Sequence, residues 1–207
     1  MAADLRMGIS GWVYPAWRGV FYPKGLRQRE ELAYASSHLT SIEVNGSFYS
    51  LQKPTSWQSW RDGTPDDFLF SVKGPRFITH IKRLRDARAP LANFLASGVL
   101  ALGPKLGPLL WQLPATFRFD AEVLDAFLTM LPRTTTQALA FATEREERME
   151  GREWLGPVEE RPLRHAFEVR SHTFDDPAWT ELLERHGVAS VLADTAGRYP
   201  RFEQQTA

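Results

Sequence analysis

The chain has 207 residues, 43% of them apolar, with 25 Lys and Arg balanced by 25 Asp and Glu and no cysteine. That size suits one domain around one core, and zero formal net charge supplies no overall field towards nucleic acid or an anionic membrane. Disulfides, thiol nucleophiles and thiolate metal sites are excluded. No apolar run is long enough to span a bilayer and the first ten residues hold no signal core, so no membrane is expected and the cytoplasm is the default compartment.

Taken in chain order, two periods alternate. A β-rich run at residues 7–11 precedes a helical stripe at 29–39 formed by Leu32, Ala35 and Leu39. Strands at 41–45 and 68–73 are followed by an apolar helix at 91–102 and a strand at 109–113. Asp120 then caps a helix at 121–131 built on Val123, Leu124, Phe127, Leu128 and Leu131. Residues 133–162 are dense in charge from Glu144 to Glu150 and have little apolar content beyond Leu139, Phe141 and Ala142, which reads as a charged, exposed helical insertion. A strand at 166–170, a helix at 176–186 with Pro177 in its first turn, and a strand at 190–194 complete the order. The tail from Arg198 reads as the start of another helix. Strands separated by helices of this length specify parallel βαβ units, and hairpin turn signals are absent.

Within the strands one alternating set is apolar: Ile42 and Val44, Phe70 and Val72, Leu109 and Trp111, Phe167 and Val169. The other ends in polar groups at the C-terminal end of each strand, whereas strands of a doubly wound sheet read as near-continuous apolar runs. The pattern fits an α/β fold of the TIM type, a parallel βα barrel with its pocket at the strand ends. It is incomplete, since about six strands are present against eight in a full barrel of about 250 residues. Open edges on such a barrel favour self-association.

Five segments carry a family likeness: S-G-W-V-Y-P-A-W-R-G-V-F-Y-P-K-G from Ser10, S-I-E-V-N-G-S-F-Y from Ser41, F-S-V-K-G-P-R-F-I-T-H from Phe70, the apolar stretch from Leu91 to Pro114, and H-A-F-E-V-R from His165. In order and spacing they closely resemble the YecE-like family of bacterial and archaeal proteins, a domain of unknown function (number 72), over nearly the whole chain. The resemblance implies one TIM-barrel-type domain across residues 1–207 and brings no established activity. It also implies two more strands after the segment ending at Thr195, so the chain reads as C-terminally truncated. Family members often carry His directly after the E-x-R triplet; here Ser171 intervenes before His172.

The chemistry-bearing candidates sit at the strand ends. Glu43 and Glu168 are the candidate acid and base, and Lys73 and Arg170 the cations that neutralise an anionic substrate or a developing oxyanion. Ser10, Asn45, Gln112 and Asp194 are candidate hydrogen-bonding groups, Trp12 and Tyr49 candidate stacking surfaces, and His80 a candidate proton shuttle or metal ligand. No H-x-x-x-H, H-x-H or H-E-x-x-H spacing occurs, so no metal site or cofactor is specified, although Glu43, Glu168 and Asp194 together suit a divalent ion. No Walker A or G-x-G-x-x-G loop is present. The first functional expectation is an enzyme using acid–base chemistry on a small polar or anionic substrate. The alternatives are a divalent-metal phosphodiesterase acting on nucleic acid through the basic segment from Arg76 to Arg88, and a non-catalytic truncated scaffold.

Overall fold

The computed structural model describes residues 4–207. Its frame is one six-stranded sheet, β1 (Gly8–Ser10), β2 (Ser41–Val44), β3 (Leu69–Lys73), β4 (Leu106–Gln112), β5 (His165–Glu168) and β6 (Ala189–Ser190), in that spatial order. Every neighbouring pair is parallel. The sheet is not closed: β1 and β6 are its outer strands. The βαβ reading of the sequence therefore holds.

Helices α1 (Glu31–Ser36), α2 (Gly46–Tyr49), α3 (Pro54–Asp62), α4 (Arg88–Ala96), α5 (Ala121–Met130), α6 (Thr135–Ala142) and α7 (Pro177–Arg185) fill the connections. Local chemistry sets their starts. Asp120 accepts from the Val123 N–H at 3.2 Å to open α5, Thr134 from Gln137 at 3.2 Å to open α6, and Asp176 from Ala178 at 2.9 Å, with Pro177 at the first position of α7. The expected helix at 91–102 is two elements, α4 and a 3-10 stretch at Val99–Lys105, broken where Gly98 adopts φ +105°. A Cβ on Gly98 would meet Pro54 Cα and Trp57 Cδ1 of α3 at 2.9 Å each, so this break also lets α3 pack close.

The apolar strand set builds the core. Ile42, Val44, Phe70, Val72, Leu109, Trp111, Phe167 and Val169 are buried, together with Trp57 on α3, Phe94 on α4, Phe127 on α5 and Trp179 on α7. Two departures from expectation concern this layer. Residues 133–162 are not a solvated insertion throughout: α6 buries Thr135, Ala138 and Ala142 and packs against α4. Apart from Arg133, its charges lie after α6, where Arg88 pairs with Glu144 and Arg145 with Glu153. The tail forms no helix; Phe202 is buried, and the Thr206 hydroxyl accepts from Ser190 N–H at 3.0 Å and donates to Val188 C=O at 2.6 Å. Since Val191 N–H bonds to β5, those two groups point to the other side, so Thr206 occupies hydrogen-bonding positions on the outer edge of β6.

Candidate functional site

The register of the sheet decides which side chains share a face. Ser10 pairs with Glu43 and Glu43 with Ser71, while Lys73 pairs with Leu110 and Gln112 with Glu168. Partners in a parallel ladder point the same way, as do residues two apart on a strand. Ser10, Glu43, Ser71, Lys73, Gln112 and Glu168 thus share the face opposite the buried apolar set, at the C-terminal ends of five strands. Asn45 and Arg170 extend β2 and β5 on the same side.

Contacts divide this face into two anchored groups with a lysine between them. On one side the Ser10 hydroxyl donates to Glu43 Oε1 at 2.9 Å and accepts from the Asn45 amide. On the other, buried Glu168 accepts from Gln112 Nε2 at 2.7 Å on one oxygen and from Arg170 Nε at 2.7 Å on the other. Between them Lys73 is partly buried, its ammonium 4.9 Å from the centroid of the Phe48 ring. Burial pushes the Lys73 ammonium below the usual lysine range, opposed by the nearby carboxylates of Glu43 and Glu168 and reinforced by Arg170.

His80 joins the edge of this group. It lies in a π-helical turn, Phe77–Ile81, directly after β3, with its ring edge-on to Phe48 at 5.1 Å and its Nδ1 2.8 Å from the Thr79 hydroxyl. Burial lowers its pKa, and Arg76, Lys73, Arg170 and Arg83 lower it further.

Three candidates fall elsewhere. Asp194 lies past β6, which ends at Ser190; it is exposed, and its carboxylate accepts from the Ala196 N–H at 3.0 Å within its own loop. The strand expected at 190–194 ends at Ser190, with the Val191 N–H still bonded to β5, so alternation alone misplaced Asp194. Trp12 is a packing residue, edge-on to Trp60 of α3 at 5.2 Å, with its carbonyl accepting from the Tyr22 hydroxyl at 2.5 Å. Tyr49 is 71% exposed and stands beyond Phe48 at the rim of a neighbouring cavity. Because Asp194 is apart, the carboxylate trio considered for a divalent ion is not assembled, and among the described residues no other group of three His, Asp or Glu is placed to hold one.

Sequence reasoning missed two contributors. Phe48, in the S-I-E-V-N-G-S-F-Y segment, touches both Lys73 and His80. Tyr199 lies in the tail and carries Arg170 over its ring at 4.8 Å; no local signal points to it. The basic segment from Arg76 to Arg88 is mostly loop and turn rather than regular helix. Arg83 and Leu84 both adopt positive φ, 50° and 66°, and α4 starts only at Arg88. Arg83 donates to Thr116 C=O at 2.9 Å and Arg85 pairs with Asp120 at 2.9 Å, which ties this loop to the one after β4.

Fold and site together define an α/β protein on an open, all-parallel sheet whose polar face gathers acidic, basic and amide groups at the strand ends. The chain belongs to the family described as protein of unknown function DUF72, whose model matches residues 6–207. It is 35% identical over 127 residues to UPF0759 protein YecE of Escherichia coli K12, covering 61% of this chain and 44% of that protein. It is 33% identical over 132 residues to UPF0759 protein YunF of Bacillus subtilis, covering 56% and 42%. The match thus spans less than half the length of these relatives. Among solved structures, a DUF72 family protein from Thermotoga maritima superimposes with a TM-score of 0.65 at 23% identity, over 97% of this chain and 71% of that one. One from Enterococcus faecalis gives 0.63 at 17%, over 97% and 66%. At these identities the two structures speak for the fold alone. No helix of the chain is long and apolar enough to cross a membrane among the described residues.

Proposed function

We propose that the six strands are part of a parallel βα barrel and that their polar ends form an enzyme site for acid–base chemistry on a small anionic substrate. Sheet order, uniform parallel pairing and the gathering of polar residues at C-terminal strand ends support the barrel reading. One observation carries the chemistry. Lys73 makes no ion pair within 4 Å among the described residues, although two carboxylates face the same surface. A lysine with a purely structural role in that setting bonds directly to a carboxylate, because an unpaired, partly buried ammonium is unfavourable.

The bonding pattern assigns different tasks to the two glutamates. Glu168 has both oxygens engaged by Gln112 and Arg170, so it holds Arg170 in place. Glu43 accepts only from Ser10 on one oxygen, which leaves the other free to take a proton from a bound substrate. Lys73 then faces the oxyanion that develops as that proton leaves, and returns a proton to it.

The test is titration of Lys73 by NMR of 15N-labelled lysine side chains, together with thermal-shift screening of small carboxylated and phosphorylated compounds. Lys73 titrates below the ordinary lysine value of 10.5. Glu43→Gln moves it lower still, because a carboxylate that favours the ammonium is removed. For a compound that stabilises the wild type, Lys73→Met abolishes the stabilisation and Glu43→Gln retains binding without turnover. An ordinary Lys73 titration, or collapse of the fold in both variants, would show that the charges are structural.

A further inference from the structure

A cavity of about 230 Å³ adjoins the charged strand ends on the far side of Phe48. Its lining includes Phe48, Tyr49, Phe77, Arg76, Asn93 and Arg148. Two of its aromatics are open to water, Tyr49 at 71% and Phe77 at 45% exposed, and both line this one cavity.

The polar lining is unequal. Arg148 donates through Nε and Nη2 to Glu146 at 3.0 and 2.9 Å, so its charge is already met. Asn93 is wholly buried, with its amide donating to Glu146 Oε2 and its carbonyl accepting from Glu146 N–H at 2.9 Å. Arg76 is exposed and forms no ion pair or side-chain hydrogen bond among the described residues. It is the one cation of the lining without a partner, on the side of His80, whose proton affinity it lowers. The volume lies below the roughly 300 Å³ at which pockets for drug-sized ligands begin, so the cavity suits one ring rather than a dinucleotide.

We propose that this cavity binds a single aromatic ring bearing an oxyanion, the ring against Tyr49 and Phe77 and the charge on Arg76. It goes beyond the acid–base reading, since the cavity is a neighbouring site that shares only the Phe48 wall with the strand-end residues, Lys73 lying over that ring.

Isothermal titration calorimetry of the full chain with inorganic phosphate, phenyl phosphate and benzoate tests it. Phenyl phosphate binds at least about tenfold more tightly than inorganic phosphate, the scale of one well-buried apolar contact. Tyr49→Ala combined with Phe77→Ala removes that preference, and Tyr49→Phe keeps it. Arg76→Met weakens both ring compounds by about tenfold, and whichever of them binds more tightly identifies the oxyanion. These three side chains are exposed, so circular dichroism melts of the variants match the wild type. Equal affinity for phosphate and phenyl phosphate, or a preference unchanged in the double variant, overturns the proposal. A low Lys73 titration alongside either result leaves the acid–base reading standing, whereas an ordinary Lys73 titration with ring binding intact removes only that reading.

Discussion

Acidification should destabilise this protein through one buried imidazole. His165 opens β5 and is 2% exposed; its Nδ1 accepts from Trp111 Nε1–H at 3.1 Å and its Nε2–H donates to the Pro132 carbonyl at 2.7 Å. A proton on Nδ1 would set two N–H groups against each other. Burial pushes the group down to about 4 from 6.5, with nearby Arg133 acting in the same direction and the Pro132 carbonyl opposing. Between those values the unfolded chain takes a proton that the folded chain refuses, so stability rises with pH across the window and is lost on acidification. At about 1.4 kcal/mol per pH unit the loss is about 2 kcal/mol by pH 5, and about 3 kcal/mol by pH 4. Urea unfolding at pH 7.5, 6 and 5 measures it. His165→Gln can accept from Trp111 and donate to Pro132 without titrating, so it lowers stability at pH 7.5 yet flattens the slope. His80, whose pKa is also lowered by burial and neighbouring cations, adds a slope of the same sign, so the comparison belongs in a His80→Gln background. If the slope persists in the double variant, the buried imidazole is not its source.

Three further outcomes follow from packing and capping. Gly74 comes directly after Lys73, and a Cβ there would lie 2.4 Å from Trp111 Cζ3; Gly74→Ala costs about 1–3 kcal/mol in urea unfolding and shifts the Lys73 titration, and an unchanged melt would mean the indole yields freely. Lys105 is buried with Nζ 2.6 Å from the carbonyls of both Arg61 and Thr64. Lys105→Met strands those acceptors and costs about 3 kcal/mol, a reading contradicted by a loss under 1 kcal/mol. Asp120→Ala removes the cap of α5 and costs about 1 kcal/mol, while Asp120→Asn keeps the cap and loses only the exposed pair with Arg85, a few tenths by thermal melting.

Local periodicity made the sheet legible, because the period of two in Ile42–Val44 or Phe70–Val72 reports a buried face regardless of partners. Caps such as Asp120 and Asp176 were legible for the same reason, being chemistry between residues a few positions apart. The α3 helix was missed although Pro54 marks its start: its burial rests on Trp57 meeting Gly98, a contact across 41 positions (98 − 57) that periodicity does not carry. Residues 133–162 were read as solvated since α6 buries small residues, Thr135, Ala138 and Ala142, whose packing depends on α4 rather than on their own hydrophobicity. In the site, the strand-borne groups were found by alternation. Phe48 and Tyr199 were not, as their roles are defined by the cations they receive from other elements.

The charges at the strand ends balance, but the excess of cations around His80 supports the proposed anionic ligand. The chain is neutral overall, yet Lys73, Arg76, Arg83 and Arg170 all lie near enough to His80 to disfavour its proton. Glu168 is matched by Arg170 at 2.7 Å, and Glu43 and Glu168 are the carboxylates that act on Lys73. Holding like charges together is unfavourable, and a neutral chain has ample acidic residues with which to disperse them. The folded backbone instead fixes three of these cations on β3 and the loop after it, a loop with consecutive positive-φ residues at Arg83 and Leu84 that itself costs energy to maintain. On the proposed reading, an anion entering beside Lys73 and Arg76 would relieve this repulsion and restore proton affinity to His80.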